Sequence, residues 1–151
     1  MPRRIRLLAA LVLAPLGASA TVAMSLAAIT ICPRYGCNLE ILTFAGLAGV
    51  TYGAVVGVPT VVLAGLPVHH ILSIIGRTHV LPYVLAGGLI GLPAAVFGLA
   101  ILSRGSLNMS AEGWAFACAL GAITGAMSAL VFWLIRRPDR DVRANPPTST
   151  P

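Results

Sequence analysis

The sequence predicts an all-α fold: an integral membrane bundle of four transmembrane helices with short loops, in one domain over residues 1–137. Hydrophobic residues make up 58% of the 151 residues and charged residues 9%, unlike a soluble domain. Four apolar runs are long enough to cross roughly 30 Å of bilayer hydrocarbon. Arginines precede the first run and follow the last, as on the cytoplasmic side of membrane proteins. The predicted spans are residues 7–31, 39–66, 81–102 and 112–135.

The first run follows three arginines and contains Pro15, which predicts a kink. Its start also resembles a secretory signal peptide, because Ala18-Ser19-Ala20 has the small residues of a cleavage site. The apolar character continues past that point to Ile31. This continuation favours an uncleaved span, and cleavage of residues 1–20 stays the alternative.

Cys32 and Cys37 lie in a tight connection whose Pro33 and Gly36 predict a chain reversal. Counted from a cytoplasmic N-terminus, this loop lies outside the cytoplasm, where disulfides persist. We therefore predict a disulfide that joins the ends of two spans. A redox-active or metal-capturing pair is the alternative. Cys118 falls inside the fourth run and is interpreted as a packing residue.

The second run carries four glycines within about 80° of the helix circumference. Small residues let helices approach closely in lipid, so these glycines predict a packing face. The sequence leaves open whether the same bundle, a second copy or a ligand lies against it. The glycines are Gly46, Gly49, Gly53 and Gly57. After Leu66, the segment with His69 and His70 is expected to lie in the cytoplasmic interface.

The third run carries a second small-residue face at Gly87 and Gly91, which we expect to meet the first. Tyr83 is expected at the membrane interface. The fourth run carries a third face at Gly121 and Gly125. Trp114 and Trp133 are 19 residues apart, about 28 Å along a helix. Both therefore fit an aromatic belt at headgroup depth.

The distribution of arginines predicts the orientation. The cytoplasmic segments of a four-span chain with an internal N-terminus hold three, one and four arginines, and the two outer loops hold one each. Both termini are therefore predicted to be cytoplasmic, in a bacterial inner membrane. Residues 138–151 contain four prolines among polar residues and predict a disordered cytoplasmic tail.

The stretch from Gly65 to His69, with Tyr83, Gly87 and Gly91, resembles uncharacterised small bacterial four-span membrane proteins, which implies no activity. In outline the chain also resembles quinone-linked enzymes that oxidise periplasmic disulfide catalysts. It lacks their Cys-x-x-Cys pair and their second cysteine pair. Small four-span multidrug exporters depend on a carboxylate inside the first span, and residues 7–31 contain none.

The predicted spans contain no deeply placed charged residue, and the chain has no triad, phosphate loop or standard metal framework. We therefore expect no enzyme and no catalytic, cofactor-binding or metal residues. The sequence favours a structural or accessory subunit that packs against a larger membrane protein or its own copies, surrounded by lipid and without nucleic acid. The alternatives are an oligomeric transport or channel component, and a thiol-dependent periplasmic redox or metal-handling protein.

Overall fold

A computed structural model describes residues 3–76, 79–102 and 110–136. Within these ranges the chain is helical and has no strand, and four helices are long and apolar enough to cross a membrane, which confirms the predicted fold class. The tail predicted for residues 138–151 lies outside the described residues. The helices are α1 (Arg3–Thr30), a short α2 (Cys32–Tyr35), α3 (Leu39–Ile74), α4 (Val80–Leu102) and α5 (Ala111–Arg136).

Helix α3 differs from the sequence expectation at its C-terminal end. It continues past Leu66 to Ile74 and contains 36 residues, about 54 Å of helix. The segment expected to lie apart in the interface is therefore the last part of a spanning helix. At its start, the Asn38 side chain accepts a hydrogen bond of 2.9 Å from the Ile41 N–H, which caps the first turn.

Two prolines inside α3 explain how the helix continues. Each π-helical turn ends two residues before a proline: Gly53–Gly57 precedes Pro59, and Val61–Gly65 precedes Pro67. Proline has no N–H, and its ring clashes with the carbonyl four residues earlier. A π turn hydrogen-bonds across five residues and leaves room for that carbonyl. The prolines therefore widen α3 locally instead of ending it.

Helices α1 and α3 pack antiparallel, with the glycines of α3 against the backbone of α1. An ideal Cβ added at Gly49 would lie 2.5 Å from the Ser19 carbonyl oxygen and 2.8 Å from Ala20 Cα. A Cβ at Gly53 would lie 2.9 Å from the Pro15 carbonyl oxygen. The glycine face predicted in the second span therefore lies against α1 of the same chain.

Helices α4 and α5 form a second antiparallel pair, also with glycine against glycine. An ideal Cβ at Gly87 would lie 2.5 Å from the Gly125 carbonyl oxygen, and one at Gly91 would overlap the Gly121 carbonyl oxygen. The expectation that the glycine face of α4 meets the glycine face of α3 was wrong. Small-residue faces are sterically alike, so one can replace another as a partner. Here the α3 glycines meet α1, which the Cys32–Asn38 connection joins to α3, and the α4 glycines meet α5, which residues 103–110 join to α4.

Helix α1 joins the two pairs. Its Ala10, Leu11 and Ala14 are buried in one cluster with Tyr83 of α4 and Phe132 of α5. The segment that resembles a signal peptide is therefore a central helix of this bundle. Around the bundle the packed order is α3, α1, α5 and α4, and α3 and α4 are the most loosely packed neighbours.

Candidate functional site: a cavity inside the helix bundle

A cavity of about 400 Å³ lies between the α1–α3 pair and the α4–α5 pair. All four long helices line it, and the lining is almost entirely apolar. Ligand sites in proteins are mostly apolar and have volumes of roughly 300–1,000 Å³. The lining extends along α4 from Tyr83 to Leu99 and along α5 from Ala117 to Phe132. The cavity therefore has the size and the chemistry of a site for an apolar molecule.

Several glycines line this space. Gly57 and Gly65, the last residues of the two π turns, line the cavity together with Gly91 and Gly121. An ideal Cβ at Gly57 would lie 2.9 Å from Pro15 Cβ, and one at Gly91 would overlap the Gly121 carbonyl oxygen, so these glycines lie where the helix contacts border the cavity. Single π turns inside helices occur frequently at functional sites. Glycines that allow close helix approach thus also border the cavity.

The polar side chains that line the cavity all carry hydroxyl groups. They are Ser19, Tyr52, Thr60, Tyr83, Thr124 and Ser128. Thr60 Oγ1 donates to the Val56 carbonyl oxygen at 2.7 Å, and Thr124 Oγ1 donates to the Leu120 carbonyl oxygen at 2.8 Å. These two hydroxyls bond within their own helices. No charged side chain occurs among the described residues that line the cavity. The wall offers no charged group to a permeating ion.

One end of the cavity is closed by an aromatic cluster that the sequence did not predict. His69 Nδ1 and the Tyr83 hydroxyl oxygen are 2.7 Å apart and share a hydrogen bond between α3 and α4. The His69 ring stands edge-on to Phe132, with ring centroids 5.4 Å apart. Tyr83 is only 4% exposed. His69 and Tyr83 were expected at the membrane interface; His69 reaches Tyr83 because α3 continues as a helix past Pro67.

A second contact between α3 and α4 lies where Tyr52 meets Gly98. An ideal Cβ at Gly98 would overlap the Tyr52 hydroxyl group and lie 2.8 Å from its Cζ. Tyr52 also lines the cavity. These two bridges, Tyr52 to Gly98 and His69 to Tyr83, are about 25 Å apart along α3. Between them the two helices are loosely packed and touch at the two π turns of α3.

The hydrogen bond between His69 and Tyr83 can be tested by a double-mutant cycle. Tyr83→Phe and His69→Leu are each expected to destabilise the bundle, and the coupling between them is expected to be about 0.6–1 kcal/mol, typical of hydrogen bonds between membrane helices. Unfolding by sodium dodecyl sulfate in mixed micelles gives the four free energies. The matched control is Tyr35→Phe, at a tyrosine that is 79% exposed. Additive effects of the two changes would contradict the assignment.

The predicted cysteine pair lies at disulfide distance. Cys32 and Cys37 are bonded, with Cα atoms 4.3 Å apart, and their loop connects the ends of α1 and α3. Cys118 is a half-buried free thiol on α5. Across residues 3–76, 79–102 and 110–136 no group of three or more His, Cys, Asp or Glu side chains could hold a metal ion.

The two tryptophans of the predicted belt lie in the two end turns of α5. Trp114 is half-buried near the start of the helix. Trp133 packs against the buried cluster that includes Leu11 and Phe132. Trp133 therefore makes intramolecular contacts that the sequence did not predict, and the aromatic belt stays a prediction.

The fold and the cavity define a class: a four-span α-helical membrane protein with an apolar cavity between its own helices. The chain matches no protein-family model, and no curated protein or solved structure is significantly similar to it. The function is therefore argued from the geometry of the bundle.

Proposed function

We propose that this chain is a small non-enzymatic accessory protein of the bacterial inner membrane that binds an apolar molecule inside its helix bundle. The observation that carries the proposal is the cavity of about 400 Å³ lined by all four long helices. An empty apolar cavity deprives its lining atoms of dispersion contacts. A bound apolar molecule restores those contacts and stabilises the folded bundle.

The positions of the glycine faces favour binding of a molecule inside the bundle over docking of a partner protein on the glycines. Gly49 and Gly53 lie against α1, and Gly91 and Gly121 lie against each other, all within one chain. We infer that these faces hold the helix pairs together and do not recruit a partner. The cavity lies inside one bundle, and its apolar wall favours an apolar cargo over an ion if the protein takes part in transport.

The arginine distribution supports an orientation with both termini in the cytoplasm. In that orientation the His69–Tyr83 end of the cavity is the cytoplasmic end. The bond between Cys32 and Cys37 then faces the oxidising side of the membrane, where it persists. We assign this disulfide a structural role, because it clamps the connection between α1 and α3.

Contact with a second copy or with a larger membrane protein is the second candidate function. Large apolar side chains such as Phe44 and Phe97 are exposed on the outside of the bundle, where lipid or another helix can cover them. Cross-linking in native membranes tests this function. Recovery of the monomer alone at every cross-linker length would contradict it.

The binding function predicts that filling the cavity removes a bound compound. Ala94 lines the cavity on α4, and Ala119 is exposed on α5. Ala94→Phe is expected to reduce the apolar compound extracted from purified protein about tenfold, whereas Ala119→Phe leaves it unchanged. Mass spectrometry of the organic extract, normalised to protein, gives the measurement. Equal extracts from the wild type and both variants, or none from the wild type, would contradict the function.

A further inference from the structure

The shape of the cavity restricts its ligand. Its lining reaches from Tyr83 to Leu99 on α4 and from Ala117 to Phe132 on α5, about 22–24 Å along either helix. A volume of about 400 Å³ distributed over that length makes a long and narrow space. Such a space matches the shape of one extended chain.

The chemistry of the wall restricts the ligand further. The hydroxyls of Thr60 and Thr124 are bonded to their own helices, and no charged side chain is present among the described lining residues. The other hydroxyls of the lining belong to Ser19, Tyr52, Tyr83 and Ser128. Away from these few groups, a polar group on the buried part of a ligand would lose its hydrogen bonds to water without replacement, which costs about 1–3 kcal/mol per group. The part of the ligand inside the bundle is therefore mainly hydrocarbon.

The position of the cavity identifies the source of that hydrocarbon. The cavity is shorter than the roughly 30 Å of bilayer hydrocarbon and lies inside four apolar spans. Its most loosely packed side lies between α3 and α4, and both helices carry exposed apolar side chains, such as Leu63, which is 77% exposed, and Leu89, which is 68% exposed. A chain that enters from the lipid would displace the fewest helix contacts on this side.

We propose that the cavity holds one acyl chain of a membrane phospholipid, taken up sideways between α3 and α4. This proposal rests on the proposed function, because it requires the cavity to be a binding site. The proposed entry lies between the Tyr52–Gly98 and His69–Tyr83 bridges, where α3 and α4 are loosely packed. The phospholipid headgroup stays outside the bundle, and its chain follows the α3 wall that contains the two π turns.

The test uses the full chain in nanodiscs of phosphatidylcholine, a fraction of which carries a photoactivatable diazirine in one acyl chain. After irradiation, mass spectrometry maps the labelled residues. We expect label on Ile90 and Leu120, which line the cavity, as well as on the outward-facing Leu89. Ala94→Phe is expected to remove the label from Ile90 and Leu120 and to keep it on Leu89, whereas Ala119→Phe keeps all three labels.

The wild-type result decides the proposal even if Ala94→Phe does not fold. Label confined to outward residues such as Leu89 overturns the acyl-chain assignment. The wild type can in that case still yield an extractable apolar compound that lipid does not displace. The proposed function then stands, with a ligand other than an acyl chain. If no compound is extracted either, both the assignment and the function fail. If the extracted compound is an unesterified fatty acid, the proposal that the chain belongs to a phospholipid is overturned.

Discussion

Gly91→Ala is expected to destabilise the bundle by about 3 kcal/mol, at the upper end of the usual cost of overpacking. The added methyl group would overlap the Gly121 carbonyl oxygen and lie 3.2 Å from Gly125 Cα. Both are backbone atoms of α5, so no side-chain rotation relieves the overlap and the two helices must separate. Unfolding by sodium dodecyl sulfate in mixed micelles, followed by circular dichroism, measures the free energy of unfolding.

The matched control is the same change at a neighbouring glycine of α4. An ideal Cβ at Gly88 would lie 3.6 Å from the Ala122 carbonyl oxygen, an ordinary van der Waals contact. Gly88→Ala is therefore expected to change the stability by less than about 0.5 kcal/mol, apart from the helix-propensity gain that both variants share. If Gly91→Ala and Gly88→Ala destabilise the bundle equally, the loss of stability does not come from the close contact between α4 and α5, and the prediction is wrong.

Gly49→Ala is expected to have the second-largest effect, about 2–3 kcal/mol, at the contact between α1 and α3. The added Cβ would lie 2.5 Å from the Ser19 carbonyl oxygen, 2.8 Å from Ala20 Cα and 2.9 Å from Ala23 Cβ. The first two are backbone atoms of α1, so the pair has to move apart. The same unfolding measurement applies, and protease sensitivity of α1 is expected to rise with it.

Gly17 provides the control for this pair of helices. An ideal Cβ at Gly17 meets nothing within 4 Å, although the residue is also a glycine inside a long helix. Gly17→Ala is expected to leave the bundle unchanged or slightly more stable, because alanine favours helix. A loss of stability from Gly17→Ala as large as that from Gly49→Ala would refute the assigned contact.

Both destabilising changes also bear on the cavity. Gly49 and Gly91 line the cavity and also lie in the helix contacts. A change at either position therefore alters ligand binding and folding together, and neither variant by itself separates the two effects. Ala94→Phe separates them, because Ala94 faces the cavity and its neighbour Ala95 makes the close contact with Gly121.

The sequence by itself determined the fold class and the number of spans. Run length and composition set both, because a helix that crosses lipid must satisfy its backbone internally over about 20 apolar residues. The sequence also placed Cys32 and Cys37 close enough to bond, since only four residues separate them. These properties depend on local or additive features of the chain.

Only the tertiary structure decided where α3 ends, which helix faces meet, and that a cavity exists. Pro67 can end a helix or widen it, and the sequence does not distinguish the two outcomes. Small-residue faces are sterically interchangeable, so the pairing of α1 with α3 and of α4 with α5 depends on the whole bundle. The cavity lies between four helices and depends on how they are arranged, and the His69–Tyr83 bond depends on the path of α3. Both arise from relations between helices, which no single stretch of sequence contains.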